Sequence, residues 1–299
     1  MKILITGASG SLGEHICNEF ANYQDFEVLA LYNSNECKYK NIHSLQLNLT
    51  DFEKLEEVFK SFKPNIVIHT AALSNTAVCD QSLPKTVYEV NVNATKQIAE
   101  FCCTFNARLI YTSTDLVYAG YRGSMLEENS KLIPISLYAE TKLMGEEKIK
   151  QTFDNYIILR MALMIGFPLT SSGNHFKQMY IDFRSGRPVK LFYDQFRTPL
   201  SFFDAAYIIE QLCKLDISNE TINVAGKERV SRAQLGRMLC DIAGFDKKLI
   251  KKISMEDVPG TYKVADVSLN TDKLQSYGIK IKSLRNSIKN ILDNVPLSF

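Results

Sequence analysis

The sequence predicts an α/β protein in which helices wind a parallel sheet on both faces, followed by a smaller α/β lobe. Three observations support this prediction. The chain opens on a short apolar run that stops in a glycine-rich turn, and apolar runs then alternate with amphipathic segments of helix length up to Arg160. After Arg160 the alternation loosens. Strands that alternate with helices are typical of βαβ units, whose right-handed crossovers build a doubly wound parallel sheet.

The first strand and helix meet at the glycine-rich turn. Gly7 allows a tight turn, Gly10 lets a ligand approach the backbone, and Gly13 lets the helix pack against the strand. Backbone N–H groups at a helix N-terminus bind phosphate, so this segment predicts dinucleotide binding. The apolar stripe of the helix recurs every four residues, at Leu12, Ile16 and Phe20.

The other strands of the predicted sheet are continuous apolar runs, which is typical of parallel strands covered on both faces. This pattern is that of the Rossmann architecture, and residues 1–165 are predicted to form an NAD(P)-binding domain. Strands are predicted at 28–32, 66–69, 109–112 and 156–160, and helices at 52–62, 85–105 and 138–153.

Residues 166–299 are predicted to form a smaller substrate-binding lobe, with some segments returning to the main sheet. Glycine and proline punctuate shorter elements in this part of the chain. Ser231 is a predicted N-cap, and Gly244 is predicted to end the same helix in a left-handed conformation. Helices are predicted at 175–184, 204–214, 231–243 and 283–293.

Composition argues against several classes of protein. The chain has 35 Lys and Arg against 33 Asp and Glu, which gives no electrostatic case for binding nucleic acid or a membrane surface. No apolar run approaches the roughly 20 residues that span a bilayer, and the first strand begins too early for a leader peptide. Seven cysteines without a CxxC pair and four histidines favour reduced thiols and no metal site. We therefore expect a cytoplasmic protein.

A candidate proton-transfer pair begins the helix predicted at 138–153. Tyr138 and Lys142 are four residues apart and therefore share one helix face. A nearby ammonium favours tyrosinate and lowers a tyrosine pKa from about 10, and the same lysine can hold ribose hydroxyls of a cofactor. We interpret the pair as catalytic, because it follows a strand in a chain that starts with the glycine turn. A solvated helix face is the alternative.

A third catalytic group is expected where the preceding strand ends in hydroxyl side chains. Ligands of open α/β sheets lie beyond the carboxyl ends of the strands. Thr114 is favoured over Ser113 as the group that hydrogen-bonds a substrate carbonyl or alcohol beside Tyr138. Ser113 has the alternative role of a cap. Asp115 is either a turn residue or a hydrogen-bonding group on the substrate side, and both remain open.

Together these residues resemble the extended short-chain dehydrogenases/reductases, and specifically the dTDP-4-dehydrorhamnose reductase (RmlD-like) family. Segment 6–13 matches the cofactor turn of the family, and 48–51 resembles its DLTD sequence with Asn48 in place of the first Asp. The family frequently has Arg-Pro where this chain has Ala265-Asp266. Further similar segments are 69–72, 90–92, 113–118, 194–199, 222–226, 230–233 and 269–274.

The residues and the resemblance together give a set of candidate site residues. The catalytic candidates are Thr114, Tyr138 and Lys142. The candidates for substrate binding are Asp115, Val117 and Arg197. The candidates for cofactor binding are Gly7, Gly10, Ser11, Leu12, Gly13, Asn33, Ser34, Asn48, Leu49, Ala71, Ala72 and Leu73, with Tyr138 and Lys142.

The end of the second strand bears on the choice of cofactor. A carboxylate there would bind a ribose 2′-OH and favour NAD. The strand instead leads into Asn33 and Ser34, with no carboxylate before Glu36. Lys38 and Lys40 could contact a 2′-phosphate, or they could simply form a solvated loop. NADP(H) is therefore favoured, and NAD(H) is the alternative.

The resemblance implies an NAD(P)H-dependent oxidoreductase that acts at a sugar CH–OH group. Its implied role is to reduce a 4-keto nucleotide sugar in dTDP-rhamnose biosynthesis. A nucleotide-sugar epimerase or dehydratase on the same scaffold is one alternative, which Asp115 leaves open. A non-catalytic NADP-binding regulatory subunit, resembling that of methionine adenosyltransferase, is another. Some members of the family dimerise, so a homodimer is also an expectation.

Overall fold

The computed structural model describes residues 1–169, 173–260 and 262–295. Seven of the strands in these ranges form one central sheet, and the other six form three two-stranded pairs. The strands are β1 (Lys2–Thr6), β2 (Glu27–Tyr32), β3 (His43–Gln46), β4 (Ile66–His69), β5 (Arg108–Thr114), β6 (Tyr156–Met161), β7 (Met164–Ile165), β8 (Val189–Phe192), β9 (Phe196–Arg197), β10 (Leu200–Ser201), β11 (Glu220–Val224), β12 (Val230–Ser231) and β13 (Ile250–Ile253).

The helices flank the sheet and build the second lobe. One predicted helix, 85–105, is in fact α4, a π-helical segment at Glu89–Asn93, and α5 in succession. The helices are α1 (Ser11–Phe20), α2 (Phe52–Phe62), α3 (Thr76–Gln81), α4 (Pro84–Tyr88), α5 (Ala94–Thr104), α6 (Leu137–Thr152), α7 (His175–Arg184), α8 (Phe202–Lys214), α9 (Arg232–Ala243), α10 (Asp272–Ser276) and α11 (Leu284–Asp293).

The central sheet has seven strands in the order β11-β6-β5-β4-β1-β2-β3. Every neighbouring pair in it is parallel. The order 3-2-1-4-5-6 is that of the Rossmann fold, so the predicted fold class is confirmed. Strand β11 comes from the second half of the chain and pairs with β6, with Ile222 opposite Leu159. The boundary at residues 165 and 166 stays a prediction.

Alternate residues of β1 face different helical layers, because side chains of a strand alternate between the two faces of a sheet. Ile3 and Ile5 join a buried cluster with residues of α1 and α8, such as Ile16 and Phe202. Leu4 points to the other face and packs in a separate cluster with α2 and α5. The sheet is therefore covered on both sides, as its continuous apolar strands predict.

The second lobe has its own core between α7, α9 and α11. The Ser231 hydroxyl caps α9 and forms a capping box with Gln234, and Gly244 follows that helix with a φ of 75°. Both predicted helix ends are thus confirmed. Within the three described ranges, no helix is long and apolar enough to cross a membrane, and no group of three or more metal-ligating side chains occurs.

Candidate active site

The glycine turn is shaped by close backbone contacts. Gly7 has a φ of +71°, and a Cβ there would lie 2.7 Å from the backbone of Ala71. A Cβ on Gly13 would lie 2.1 Å from the carbonyl oxygen of Gly7, closer than atoms tolerate. Gly10 is the N-cap residue of α1 and brings no side chain to that helix end. The backbone N–H groups of the first turn therefore face a surface that an anion can approach closely.

The other candidate cofactor residues lie beyond the carboxyl ends of β2, β3 and β4. Asn33 and Ser34 are exposed directly after β2, and the nearby Lys38 forms an exposed ion pair with Glu36 at 3.3 Å. Asn48 accepts two hydrogen bonds from Thr50 in the turn before α2. The last group follows β4 in a half-buried loop and consists of Ala71, Ala72 and Leu73. Their contacts with a cofactor stay a prediction.

Asn91 holds the loop after β4 in place, and its role was not predicted. This buried residue belongs to the π-helical segment between α4 and α5. Its amide donates to the carbonyl of Leu73 (3.1 Å) and to Thr141 Oγ1 (3.0 Å), and it accepts from the Leu73 N–H (2.8 Å). The loop after β4 is thereby fixed against α6. A π-helical turn frequently marks a functional site, but the sequence gives no local signal for one.

Helix α6 carries Tyr138 and Lys142 on one face. Ser136 caps the helix by accepting from the Ala139 N–H. Lys142 is only 2% exposed, and its Nζ lies 4.0 Å from the ring centroid of Tyr111. Burial lowers the pKa of Lys142 to about 7, while the charge of Glu146 opposes the shift. The amine therefore titrates near neutral pH.

His69 closes the inner side of this lysine pocket. Its Nδ1 lies 2.7 Å from Thr6 Oγ1, and its Nε2 lies 3.0 Å from Thr95 Oγ1. Burial, and secondarily the charge of Lys142, lower the pKa of His69 to about 3. The imidazole is therefore neutral at physiological pH, with both nitrogens engaged by threonine hydroxyls.

The Thr114 side chain lies beside Tyr138, at the end of β5. The Thr114 hydroxyl donates to Asp115 Oδ1 at 3.2 Å. Ser113 points to the opposite side, where its hydroxyl donates to Glu146 Oε1 at 2.5 Å. Of the two candidate hydroxyls, Thr114 is therefore the one beside Tyr138.

The expected lowering of the Tyr138 pKa by Lys142 is wrong for this structure. Burial raises the pKa of Tyr138, and the charge of Asp115 raises it further. The neighbouring Thr114 hydroxyl opposes the shift without overcoming it. Spacing along a helix identified the pair, but the desolvation that controls the phenol comes from tertiary packing.

A cavity of about 390 Å³ lies next to Thr114, and the charged residues that line it are Asp80, Asp115, Arg197 and Arg232. Arg197 Nε lies 3.9 Å from Asp115 Oδ2, and Arg232 Nε donates to Gln195 Oε1 at 3.0 Å. Burial lowers the pKa of Arg232 to about 10, and the charge of Arg197 adds to that effect. Arg232 was not predicted as a site residue, because the local sequence pattern marks only its neighbour Ser231, as a helix cap.

Val117 is not at the cavity. Its side chain is fully buried in a cluster with Tyr118 and Val267, and the turn at Asp115–Val117 presents Leu116 to the cavity instead. The predicted contact of the Val117 side chain with a substrate therefore disagrees with its position in the core. The 3₁₀ geometry of the turn, which the sequence pattern did not indicate, is the reason.

A buried ion pair fixes α6 against the sheet behind the site. Arg160, on β6, donates from Nη2 to Glu146 Oε2 at 2.8 Å and from Nε to Glu146 Oε1 at 3.1 Å. Its Nη1 also donates to the Tyr118 hydroxyl at 2.9 Å. Because Glu146 lies one turn beyond Lys142, this pair holds the helix that carries both candidate catalytic residues.

A doubly wound sheet with a glycine turn after its first strand, and with Thr, Tyr and Lys beside a cavity, defines an extended short-chain dehydrogenase/reductase. Comparison with family models identifies the branch of that class. The chain belongs to the family described as RmlD substrate binding domain, whose model matches residues 1–296.

The chain is also similar to two known proteins and to one solved structure. It is 27% identical over 303 residues to dTDP-4-dehydrorhamnose reductase of Aggregatibacter actinomycetemcomitans, covering 97% of this chain and 98% of that one. It is 26% identical over 298 residues to methionine adenosyltransferase 2 subunit beta of Mus musculus, covering 97% and 87%. The crystal structure of dTDP-4-dehydrorhamnose reductase from Bacillus anthracis, in complex with NADP, has the same fold with a TM-score of 0.85, at 20% identity over 98% of each chain.

Proposed function

We propose that this protein is an NADPH-dependent reductase of a 4-keto nucleotide sugar, of the dTDP-4-dehydrorhamnose type. The observation that carries the proposal is the position of Tyr138 next to Thr114, beside a cavity that contains two arginines. Lys142 lies one helical turn from Tyr138. NADH is the alternative reductant, and the lack of a carboxylate at Asn33 and Ser34 favours NADPH.

The glycine turn fits a dinucleotide. A Cβ at Gly10 would meet only the carbonyl of Gly7, at 3.3 Å, so the surface at the start of α1 is open to a pyrophosphate. Tyr138, Lys142 and the residues at the ends of β2, β3 and β4 would hold the remainder of the cofactor. When bound, the nicotinamide supplies a hydride to the ketone carbon of the substrate.

The side chains of the site suit a reduction. The raised pKa of Tyr138 keeps its phenol protonated, which is the state needed to donate a proton to a ketone oxygen. Thr114 would orient that oxygen beside the phenol. Arg197 and Arg232 place two guanidinium groups in the cavity, whose lining also carries the carboxylates of Asp80 and Asp115. A guanidinium group matches the geometry of a phosphate, so the two arginines suit the diphosphate of a nucleotide sugar.

The experiment is a panel of 4-keto nucleotide sugars with NADPH and with NADH, followed at the nicotinamide absorbance band. We expect stoichiometric oxidation of NADPH with at least one dTDP-linked ketone and a slower reaction with NADH. An epimerase would instead retain tightly bound cofactor through purification and convert its sugar without net oxidation. Failure of every ketone to oxidise either coenzyme would reject the reductase.

A second candidate is a regulatory subunit, which the similarity to methionine adenosyltransferase 2 subunit beta favours. Its test is co-purification with a methionine adenosyltransferase catalytic subunit in the absence of any sugar reduction. Light scattering on the same sample measures the mass of the particle and thus tests the predicted homodimer.

A further inference from the structure

Both arginines of the cavity are held at strand β9. Gln195, directly before the strand, accepts a hydrogen bond from Arg232 Nε at 3.0 Å. Arg197, the second residue of the strand, donates from Nη1 to the carbonyl oxygens of Phe196 at 2.6 Å and of Val264 at 3.3 Å. The positions of the two guanidinium groups therefore depend on β9 and, for Arg197, also on Val264.

Strand β9 lies between two neighbouring segments. On one edge it pairs antiparallel with β12. On the other edge it runs parallel to residues 264–269, where the Phe196 N–H donates to the Ala265 carbonyl at 2.7 Å and the Val267 N–H donates to the Phe196 carbonyl at 3.4 Å. Because β9 has only two residues, its position is set by these neighbours rather than by its own length.

An ion pair connects the two neighbours of β9. Arg229, directly before β12, donates from Nε to Asp266 Oδ2 at 2.7 Å, and its Nη2 lies 2.7 Å from the same oxygen. The Arg229 Cζ lies 3.7 Å from the ring centroid of Phe196, so the guanidinium crosses the middle strand over that ring. Asp266 Oδ1 also accepts from the Ser268 N–H at 2.9 Å. The pair therefore joins β12 to residues 264–269 across one face of β9.

The Arg229–Asp266 pair lies outside the cavity. Successive side chains of a strand point to opposite faces, and the ring of Phe196 lies under Arg229, whereas the next residue, Arg197, lines the cavity. Neither Arg229 nor Asp266 is among the described residues that line the cavity. The pair therefore does not contact a molecule bound there, and its influence on the cavity passes through β9.

We infer that Arg229 and Asp266 are positioning residues for substrate binding: their ion pair holds β9 so that Arg197 is oriented towards the diphosphate of the substrate. This inference rests on the reductase function proposed above, because it takes a nucleotide sugar as the substrate. A guanidinium whose Nη1 is already bound to two carbonyl oxygens loses little freedom when a phosphate binds to the rest of it. The pair should therefore affect substrate affinity more than the chemical step at Tyr138.

Substitution of each member of the pair separates positioning from a simple effect of charge. By charge alone, Asp266→Asn would strengthen the binding of an anion and Arg229→Gln would weaken it. If the pair positions Arg197, both variants weaken binding. We expect KM for the nucleotide sugar to rise by about 10-fold in each, the lower end of the effect of a lost hydrogen bond to a charged group, with kcat nearly unchanged. Asp182→Asn breaks an exposed pair with Arg187 and is the matched control, which leaves KM unchanged.

Combination with Arg197→Gln tests whether the pair acts through that arginine. In this background Asp266→Asn should cause no further rise in KM, because the guanidinium that the pair holds is absent. In the background of Arg232→Gln it should still raise KM. Arg229→Lys keeps the charge but loses the planar guanidinium, so it should also raise KM. A fall of KM in Asp266→Asn, or multiplication of the two effects in the Arg197→Gln double variant, would overturn the inference.

Binding of dTDP, measured by isothermal titration, keeps this test independent of the reductase assignment. Excess NADP⁺ is present so that dTDP does not bind at the glycine turn. We expect Kd for dTDP to rise by about 10-fold in Asp266→Asn and in Arg229→Gln, and to stay unchanged in Asp182→Asn. No binding of dTDP to the unmodified protein, or a Kd that neither substitution changes, contradicts the inference even if the protein is a reductase. If the sugar panel fails while dTDP binding depends on the pair, only the reductase assignment is lost.

Discussion

The two sides of Tyr138 differ in charge and in access to water. On the lysine side, Lys142 lies over the ring of Tyr111 and next to His69, which burial keeps neutral. On the cavity side, Asp115 lies with two arginines around a space of about 390 Å³. The lysine side is closed, and on that side the amine of Lys142 titrates near neutral pH. The cavity side has charged and apolar lining residues, and its two arginines make it the side on which an anionic substrate is expected.

This comparison separates two ways of building a site. The part of the site that would hold the cofactor depends on backbone geometry, because the backbone around Gly7 and Gly13 leaves no room for a side chain. The cavity side depends on buried charges that different parts of the chain bring together. Four predictions test the division, from the largest expected effect to the smallest.

The phenol between the two sides should have the largest effect. Tyr138→Phe removes the proton donor and should lower kcat for ketone reduction by about 10²- to 10⁴-fold, with a small change in KM. Tyr23→Phe is the control, because its hydroxyl bonds Glu19 on α1 at 3.2 Å, away from the site. Steady-state kinetics of the two variants measure the difference. Near-normal reduction by Tyr138→Phe would exclude the assigned role.

The cavity side should control substrate affinity. Arg232→Gln removes one guanidinium from the cavity, and a hydrogen bond to a charged group is worth about 1.5–3 kcal/mol, so KM for the nucleotide sugar should rise by about 10- to 100-fold. Arg187→Gln, at the exposed pair with Asp182, should leave KM unchanged. If the two variants share the same KM, the cavity is not the diphosphate site.

The cofactor side should respond to volume rather than to charge. Gly13→Ala places a Cβ 2.1 Å from the Gly7 carbonyl oxygen and should lower the free energy of unfolding by about 1–3 kcal/mol. Gly10→Ala meets that oxygen at 3.3 Å and should cost less stability. Urea unfolding of both variants gives the comparison, and equal losses would show that the turn tolerates the added methyl group.

The closed lysine pocket should give stability a pH dependence. The pKa of Lys142 is about 7 in the folded chain, against an ordinary value of 10.5. Between these values the unfolded chain holds a proton that the folded chain has lost, so the free energy of unfolding rises with pH by at most about 1.4 kcal/mol per unit. That stability is lost as the pH falls towards 7. Lys142→Met should flatten the profile in urea unfolding, and an unchanged slope would contradict the buried, neutral amine.

Local patterns were sufficient to predict most of the first half of the chain. Helix α2 and strand β4 have the predicted bounds, because apolar periodicity and flanking polar residues are local signals. The two-residue strands β7, β9, β10 and β12 were not predicted, since two residues have no period. The π-helical segment was not predicted either, because a helical sequence pattern does not show where one turn is wider.

Local sequence patterns were also insufficient to predict the whole candidate site. Thr114, Tyr138 and Lys142 were predicted from spacing and position, and the structure places Thr114 beside Tyr138. Arg232 was not found, because it reaches the cavity only through the packing of α9 in the second lobe. The direction of the Tyr138 pKa was also wrong, since burial depends on the whole fold. The catalytic roles themselves stay predictions.

The most direct test of the account uses NADPH labelled with deuterium at C4 of the nicotinamide, on the face that transfers the hydride. The unmodified protein should transfer the label to the former ketone carbon of the nucleotide sugar, and mass spectrometry should find the product heavier by one deuterium. Tyr138→Phe should form this product at a strongly reduced rate. A reduced sugar without the label, or label that stays on the coenzyme throughout, would contradict direct hydride transfer beside Tyr138.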